Sequence, residues 1–560
     1  MATMIALERG FFMPGKRMNL ILKVFAVFLI CVSARFFYLQ VMESDSLARS
    51  ASAQRIVSSS IEKPRGGILD RNGIPFTNRE RKYTLVLKPM YFENDDENLL
   101  EVCLIAGLDA DAVKSELQTR KKPVLKDIDE ECKNKLAALG LEGVSIINSL
   151  QRYGGDSIAR HITGYLSKKD QVGQSGIEKF FEDALGEKAG NSIGMITDAR
   201  NNLVKGLGYR ITKEAGSAGK LDVVLTLDYH IQEIVEEAMA RNGITGAVVV
   251  EDVNTGDIVA MASKPDFDQT SIESYLQSPG NELYNRAVAA YNLGSVFKII
   301  DVAAYLEEPD KVAESYYCPG YIDIGSIQFK CSSFAEGGHG ELDLEQAFAK
   351  SCNPYFIDMG EKAGYRKLIE MAARFGLGSE TGIREQGISD FAGNLPKADS
   401  YHSAGDIANL SLGQGVLMAT PLQVADIVAT IANGGIKNQI NIADCIMDNE
   451  GNKVRDLKIK EGHRIIKREA AEVIKSLMEA VTDYGTGTVA MLEEYGGAAG
   501  KTGSAETGRK DVVHAWFAGY FPRNEPRYSI AVLAENGQYG GKVAAPVFAE
   551  IAAEIMKKGL

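Results

Sequence analysis

The sequence predicts an α+β protein. It has an antiparallel sheet flanked by helices in its C-terminal half, a smaller mixed domain ahead of that, and one transmembrane helix at the start. Three observations carry this. In the second half, apolar strand patterns (246–262) give way to helical stretches and then to further strands (513–521, 528–535). That order fits a sheet covered by helices better than a doubly wound parallel fold. A basic-flanked apolar run lies near the N-terminus. The chain of 560 residues, 45% hydrophobic and 24% charged, has room for three or four domain-sized units at ~150 residues each and is not mostly disordered. Its formal charge of −13, from 62 basic and 75 acidic residues, argues against nucleic acid as a partner, since such binders present a basic domain or stripe.

The first 40 residues oppose this balance, with Arg9, Lys16, Arg17, Lys23 and Arg35 against the single acid Glu8. Val24 to Ala34 carries no charge, and Lys23 and Arg35 stand where long basic side chains snorkel to the interface. Phe36, Phe37 and Tyr38 supply an aromatic anchor. No small-x-small site follows to mark a cleaved signal peptide, and a buried amphipathic helix is the plainer alternative. The expectation is a cytoplasmic tail (1–17), an uncleaved membrane anchor (18–41) and everything beyond it extracytoplasmic, because the Lys/Arg excess precedes the anchor.

Residues 42–235 read as a mixed, non-catalytic domain. Pro64 to Gly73 has a strand–turn–strand pattern around Asn72-Gly73. Leu99 to Gln118, Val124 to Leu139 and Ser175 to Gly186 have helical spacing, and Gly216 to Lys220 reads as a hinge before a strand at 221–227. Arg65, Asp70 and Arg71 form either a salt-bridge corner or a binding patch. Residues 236–560 form the larger domain. Its hairpin turns at Asn254 to Asp257, its helices fall near 344–352, 422–432 and 468–481, and its last strands are joined across Pro522 to Pro526.

Three short motifs sit on this larger domain. Ser295-Val-Phe-Lys298 places a hydroxyl and an amine on one helical face where an apolar helix begins. The helix field favours developing negative charge at the serine, and a lysine whose pKa is lowered by burial can take its proton. Ser60–Lys63 and Ser217–Lys220 repeat the spacing, but neither opens a helix. Ser351-Cys-Asn353 projects a hydroxyl and an amide the same way from an extended loop; a capping pair is the plainer reading. Lys501-Thr-Gly-Ser504, Lys501 through Thr502 and Gly503 to Ser504, fits an edge strand bordering a cleft, where a glycine admits a substrate backbone. Tyr495 stands where a phosphate-binding loop requires glycine, which removes that reading.

Taken in this order, the motifs are those of penicillin-binding proteins and class A β-lactamases. The chain resembles the class B penicillin-binding proteins over nearly its whole length. Arg65 to Gly73, Arg152-Tyr-Gly and Gly173 to Glu178 are similar to the family's pedestal (dimerisation-type) segments, and Asn285-Arg-Ala, Gly413-Gln-Gly415 and Asn433-Gly-Gly435 to its catalytic-domain motifs. Leu293 and Val296 stand where the family often has Pro and Thr, and neither change removes a reactive group. The resemblance implies a penicillin-binding transpeptidase fold and a peptidoglycan D,D-transpeptidase. Ser295, activated by Lys298, attacks the D-Ala–D-Ala bond of a stem peptide. Ser351 and Lys501 relay protons, Asn353 orients the donor, Thr502 and Ser504 receive its carboxylate, and the N–H groups of Ser295 and Ser504 form the oxyanion hole. β-Lactams acylate the same serine, and a membrane glycosyltransferase partner polymerises the glycan. Two other readings keep the same residues: a β-lactam-sensing or hydrolysing acyl-enzyme, and a catalytically silent cell-wall scaffold.

Seven cysteines complete the picture. Cys318, Cys331, His339 and Cys352 follow a C-x12-C-x7-H-x12-C spacing, a donor set suited to a closed tetrahedral zinc site. Some class B members resemble this stretch and carry zinc there. A Cys318–Cys331 disulfide and three unlinked thiols are the alternatives. Catalysis itself calls for no cofactor.

Overall fold

The computed structural model describes residues 15–44, 56–62, 65–92, 95–120, 123–186, 191–196, 209–213, 221–307, 315–400, 402–509 and 512–560. The expected hinge at Gly216 to Lys220, the Ser217–Lys220 spacing and most of the tail lie outside them. The apolar N-terminal run forms a helix over Gly15–Phe37, continued by a wider turn over Tyr38–Met42. The stretch Met18–Met42 is long and apolar enough to cross a membrane.

The rest of the chain folds as two compact units assembled from interleaved segments. One comprises Met1–Glu62, Tyr83–Ile147 and Ala189–Ala215, the other Lys63–Lys82, Asn148–Lys188 and Gly216–Leu560. The first unit contains an antiparallel sheet of Ile56–Glu62, Asn191–Ile196 and Tyr209–Lys213. It also holds a core in which Leu85, Leu99, Val102, Val113 and Leu136 pack together. Two helical expectations change here. Leu99 to Gln118 is two helices, Asp96–Ile105 and Ala110–Arg120, because Gly107 takes a φ of 62° and Asp109 accepts the free N–H groups of Asp111 and Ala112. Val124 to Leu139 is a strand (Val124–Ile128) followed by a helix (Glu130–Leu139). The strand pairs with 83–87, and Asp129 caps the new helix through Cys132 N. Pairing overrides the local helical spacing.

In the second unit, segments from both ends of the expected 42–235 domain come together around buried Glu178. This carboxylate accepts from Arg65 Nε (2.6 Å), Arg152 Nε (2.6 Å) and Tyr153 Oη (2.8 Å). Arg65 is therefore structural, and its partners are Glu178 and Glu182 rather than Asp70. Asp70 instead accepts the N–H groups of Asn72, Ile74 and Tyr229, closing the Asn72-Gly73 turn. Ser175 to Gly186 forms two short helices, Gly176–Phe180 and Glu182–Leu185.

The main sheet of this unit comprises β1 (Gly246–Asp252), β2 (Ile258–Lys264), β3 (Ala499–Glu506), β4 (Val513–Phe521) and β5 (Tyr528–Ala534), in the antiparallel order β2-β1-β5-β4-β3. Its helices include α1 (Tyr229–Arg241), α2 (Lys298–Leu306), α3 (Leu344–Ala349), α4 (Asn353–Ala363), α5 (Pro421–Ala432), α6 (Arg468–Asp483) and α7 (Ala544–Lys558). Val248, Val250 and Val532 pack on α1 and α7, whereas Val249, Ala531 and Leu533 belong to the core shared with α2, α5 and α6. Both faces are covered, which explains strands that are apolar throughout instead of alternating. At about 1.5–3 kcal/mol per large apolar side chain, this double burial fixes the sheet. It leaves β3 as an edge strand, as the sequence predicts, beside the turn Gly294–Phe297 and α6.

Candidate active site

The nucleophile candidate sits on a tight turn. Residues Gly294–Phe297 form a single 3-10 turn, Lys298 opens α2, and Ser295 is half-buried. Gly294 takes a φ of 57°, and a Cβ there would lie 2.6 Å from Ser504 O, so glycine permits the contact between this turn and β3. Behind it, Gly294 N donates to Gly413 O (3.0 Å), and Trp516 Nε1 donates to Asn292 O (3.0 Å).

Ser351 lies between α3 and α4 in the left-handed region, at φ 54°, a conformation that costs a serine energy and often marks a functional site. Its hydroxyl accepts from Lys298 Nζ (3.2 Å) and Lys501 Nζ (2.9 Å). With both acceptor positions filled, its own O–H is left to donate. Lys298 also donates to Ser351 O (2.8 Å) and Asn353 Oδ1 (2.9 Å), and Asn353 Nδ2 donates to Lys330 O (3.0 Å). The Ser295 hydroxyl is not among the partners of Lys298 in the described residues. Both lysines are fully buried. Burial brings Lys298 down to about 8, and burial with the neighbouring Lys298 charge brings Lys501 well below its ordinary range.

Thr502 Oγ1 shares a 2.6 Å hydrogen bond with Thr486 Oγ1, and Ser504 is exposed. Gly503 departs from its expected reason. A Cβ there would meet Leu293 O (2.9 Å), Trp516 Cβ (3.0 Å) and Val296 Cγ2 (3.0 Å). The missing side chain therefore lets β3 close on the nucleophile turn.

Residues 246–553, which hold all three motifs, match the penicillin binding protein transpeptidase domain, and residues 60–220 match the penicillin-binding protein dimerisation domain. The chain belongs to the class B penicillin-binding proteins. It is thus an enzyme of the serine transpeptidase type. Stage V sporulation protein D of Bacillus subtilis is 29% identical, over 96% of this chain and 84% of that one. The peptidoglycan D,D-transpeptidase MrdA of Acinetobacter baumannii is 27% identical, over 93% and 85%. A solved peptidoglycan synthase complex coordinating polymerization and crosslinking includes a chain 27% identical, with a TM-score of 0.72 over 97% of this chain and 98% of that one.

This penicillin-binding protein also gathers the four predicted ligands. Cys318 ends one strand, Cys331 follows the hairpin Tyr321–Ile324/Ile327–Lys330, His339 precedes a strand that pairs with that of Cys318, and Cys352 caps α4. His339 Nδ1 lies 3.8 Å from Cys318 Sγ and 3.4 Å from Cys331 Sγ, and Cys331 Sγ lies 3.9 Å from Cys352 Sγ. All four ligand atoms fall within 4.8 Å of one another. No disulfide joins Cys318 to Cys331, and both are free thiols. The hydrogen bond between Cys352 and Cys331 pushes the Cys331 thiol down and the Cys352 thiol up.

Sequence reasoning missed the Thr486 partner and the buried Asp301, one turn after Lys298. Asp301 looks like an error in an apolar helix unless Lys298 is known to share that face.

Proposed function

We propose that this protein cross-links peptidoglycan stem peptides as a D,D-transpeptidase, through an acyl-enzyme on Ser295. The observation that carries the reading is the meeting of three motifs at one hydroxyl, Ser351 Oγ, bound by Lys298 and Lys501. Ser295 Oγ gives its proton to the neutral amine of Lys298 and attacks the penultimate D-alanine carbonyl. The N–H groups of Ser295 and Ser504 hold the oxyanion. Ser351, poised by Lys501, passes a proton to the departing terminal D-alanine, and an amine from a neighbouring strand then attacks the ester. Asn353 keeps one Nδ2 hydrogen for the donor peptide. Thr502 and Ser504 receive its carboxylate, and Gly503 holds β3 against the nucleophile. β-Lactams acylate Ser295 by the same route.

The two-domain division at residue 235 belongs to the same reading, supported by the family matches on either side of it, 60–220 and 246–553; so do a cytoplasmic N-terminus and an extracytoplasmic catalytic domain, supported by the basic residues ahead of Met18–Met42. So does a membrane glycosyltransferase partner, in keeping with the synthase complex to which the chain is similar. Cys318, Cys331, His339 and Cys352 hold a structural zinc. The Cys331–Cys352 sulfur separation of 3.9 Å fits the edge of about 3.8 Å expected for a tetrahedron with Zn–S near 2.3 Å, and all four ligand atoms lie within 4.8 Å of one another. When bound, zinc ties the hairpin to the Ser351–Asn353 loop and takes no part in acyl transfer.

A fluorescent penicillin tests the assignment. Wild type is expected to be labelled and Ser295→Ala not; persistent labelling of the variant sinks Ser295 as nucleophile.

A further inference from the structure

Helix α2 is buried along Lys298 to Tyr305, and between those two residues its only polar side chain is Asp301. Asp301 is 0% exposed, and neither of its carboxylate oxygens has a hydrogen-bond partner among the described residues. A carboxyl placed there gives up its hydration with nothing in return, unless a nearby charge compensates. Residues three apart on a helix bring their Cβ atoms within about 5–6 Å, so Asp301 stands on the Lys298 face, one turn behind the amine. Lys298 is the charge that acts on it: burial pushes the carboxyl well up, and the lysine pulls it back. The first turn of α2 also favours a negative group at that position.

The surroundings offer no other compensation. The helices packed on α2 are α4, Tyr365–Arg374 and α6, and every Asp, Glu, Lys and Arg on them reaches solvent at least in part. The groups that face Lys298 itself are Asp301, the Cys331 and Cys352 thiols, and Lys501, which shares Ser351 Oγ with it. As an ammonium, Lys298 donates its three hydrogens to Ser351 O, Ser351 Oγ and Asn353 Oδ1. Asp301 receives none of them and acts on Lys298 through its charge alone.

Acylation passes the Ser295 proton to the Lys298 lone pair as Oγ bonds to the carbonyl carbon, so a buried neutral amine becomes a buried ammonium. An anion already fixed one turn away stabilises that charge as it develops, without reorganisation. We infer that Asp301 is a positioning residue for acylation, the fixed counter-charge of the ammonium that Lys298 becomes. The inference rests on the transpeptidase reading above and adds a residue to its base. Asp301 makes Lys298 a stronger base, which speeds proton removal once the amine is neutral. It also stabilises the resting ammonium, which delays the neutral form to higher pH.

The test is the second-order rate of acylation by fluorescent penicillin between about pH 6 and 9, on full-length protein in detergent. Asp301→Asn keeps the shape and removes the charge. Asp301→Leu suits an apolar helix and serves if the amide variant does not fold. In both, the midpoint of the pH profile is expected to fall by about one pH unit from that of wild type. At the acid end each variant then runs about tenfold faster relative to its own alkaline plateau. The plateau itself is expected to drop a few-fold, the mark of a weaker base. Each profile is scaled to its own plateau, so the midpoint is independent of the folded fraction, and Cys331, Cys352 and Lys501 are common to all three proteins. A midpoint that stays or rises in a folded variant overturns the role of Asp301, whatever the plateau does. A wild type that is not acylated at any pH overturns the transpeptidase reading and this inference with it.

Discussion

Gly413→Ala is expected to disable the nucleophile from behind. Gly413 sits at φ 64°, where an alanine costs about 1–2 kcal/mol. Its added methyl would overlap the Gly294 carbonyl oxygen and lie 2.9 Å from Phe297 Cβ, an overpacking worth about 1–3 kcal/mol. The total, about 2–5 kcal/mol, falls on the turn that carries Ser295, because Gly413 O also holds Gly294 N. Relief requires that turn to shift by about 1 Å, and a misplacement of that size costs on the order of 10²-fold in rate. The control is Gly415→Ala in the same motif. It also has a positive φ (77°), but its nearest neighbour, Asn409 Cβ, is 3.5 Å away, an ordinary contact. The assay is the second-order rate of acylation by fluorescent penicillin, alongside a thermal melt. Gly413→Ala is expected to lose about 10²-fold in acylation while still melting cooperatively, and Gly415→Ala to stay within a few-fold of wild type. Equal damage from the two substitutions, or wild-type acylation by Gly413→Ala, refutes this account.

Acylation should rise with pH. Burial lowers Lys298 to about 8, so its neutral, proton-accepting form grows as pH climbs through that value, and the rate at pH 7 is expected to be about a tenth of its alkaline plateau. The apparent pKa belongs to the Lys298–Lys501 pair, and a flat profile between pH 6.5 and 9 contradicts the role of Lys298. Purified protein is expected to carry about one zinc per chain by elemental analysis and to melt at lower temperature after chelation; zinc-free protein with an unchanged melt excludes the metal. Arg65→Ala removes one of the two guanidinium partners of the buried Glu178, leaving Arg152 and Tyr153, and should cost about 1.5–3 kcal/mol in denaturant unfolding, with a loss below about 1 kcal/mol counting against a structural role.

The chemistry was more legible in the sequence than its support. Ser295, Lys298, Ser351, Asn353 and Lys501 announce themselves through residue type and spacing, and the three cysteines with His339 through ligand type. The edge position of β3 follows from its place after a glycine run and before the Trp516 strand. Features that depend on the third dimension were hidden. The strand at Val124–Ile128 looks helical until its pairing with 83–87 is known. Arg65 cannot be matched to Glu178, 113 residues away, by local pattern. The glycine at 503 was legible, but its reason was not: the strand meets protein, not substrate, on that side.

The interleaving of the two units constrains the order in which the chain matures. Ile68–Leu69 pairs in parallel with 223–224, and Asp222–Leu225 in turn pairs with Ala443–Met447. The four-stranded sheet built on them therefore stays open until most of the polypeptide has been made. Such long-range closure slows folding and prolongs the exposure of unpaired strand edges. A nascent chain stopped before residue 443 is expected to be a poor substrate for folding and a good one for proteases, even though its first 240 residues contain two complete three-stranded sheets.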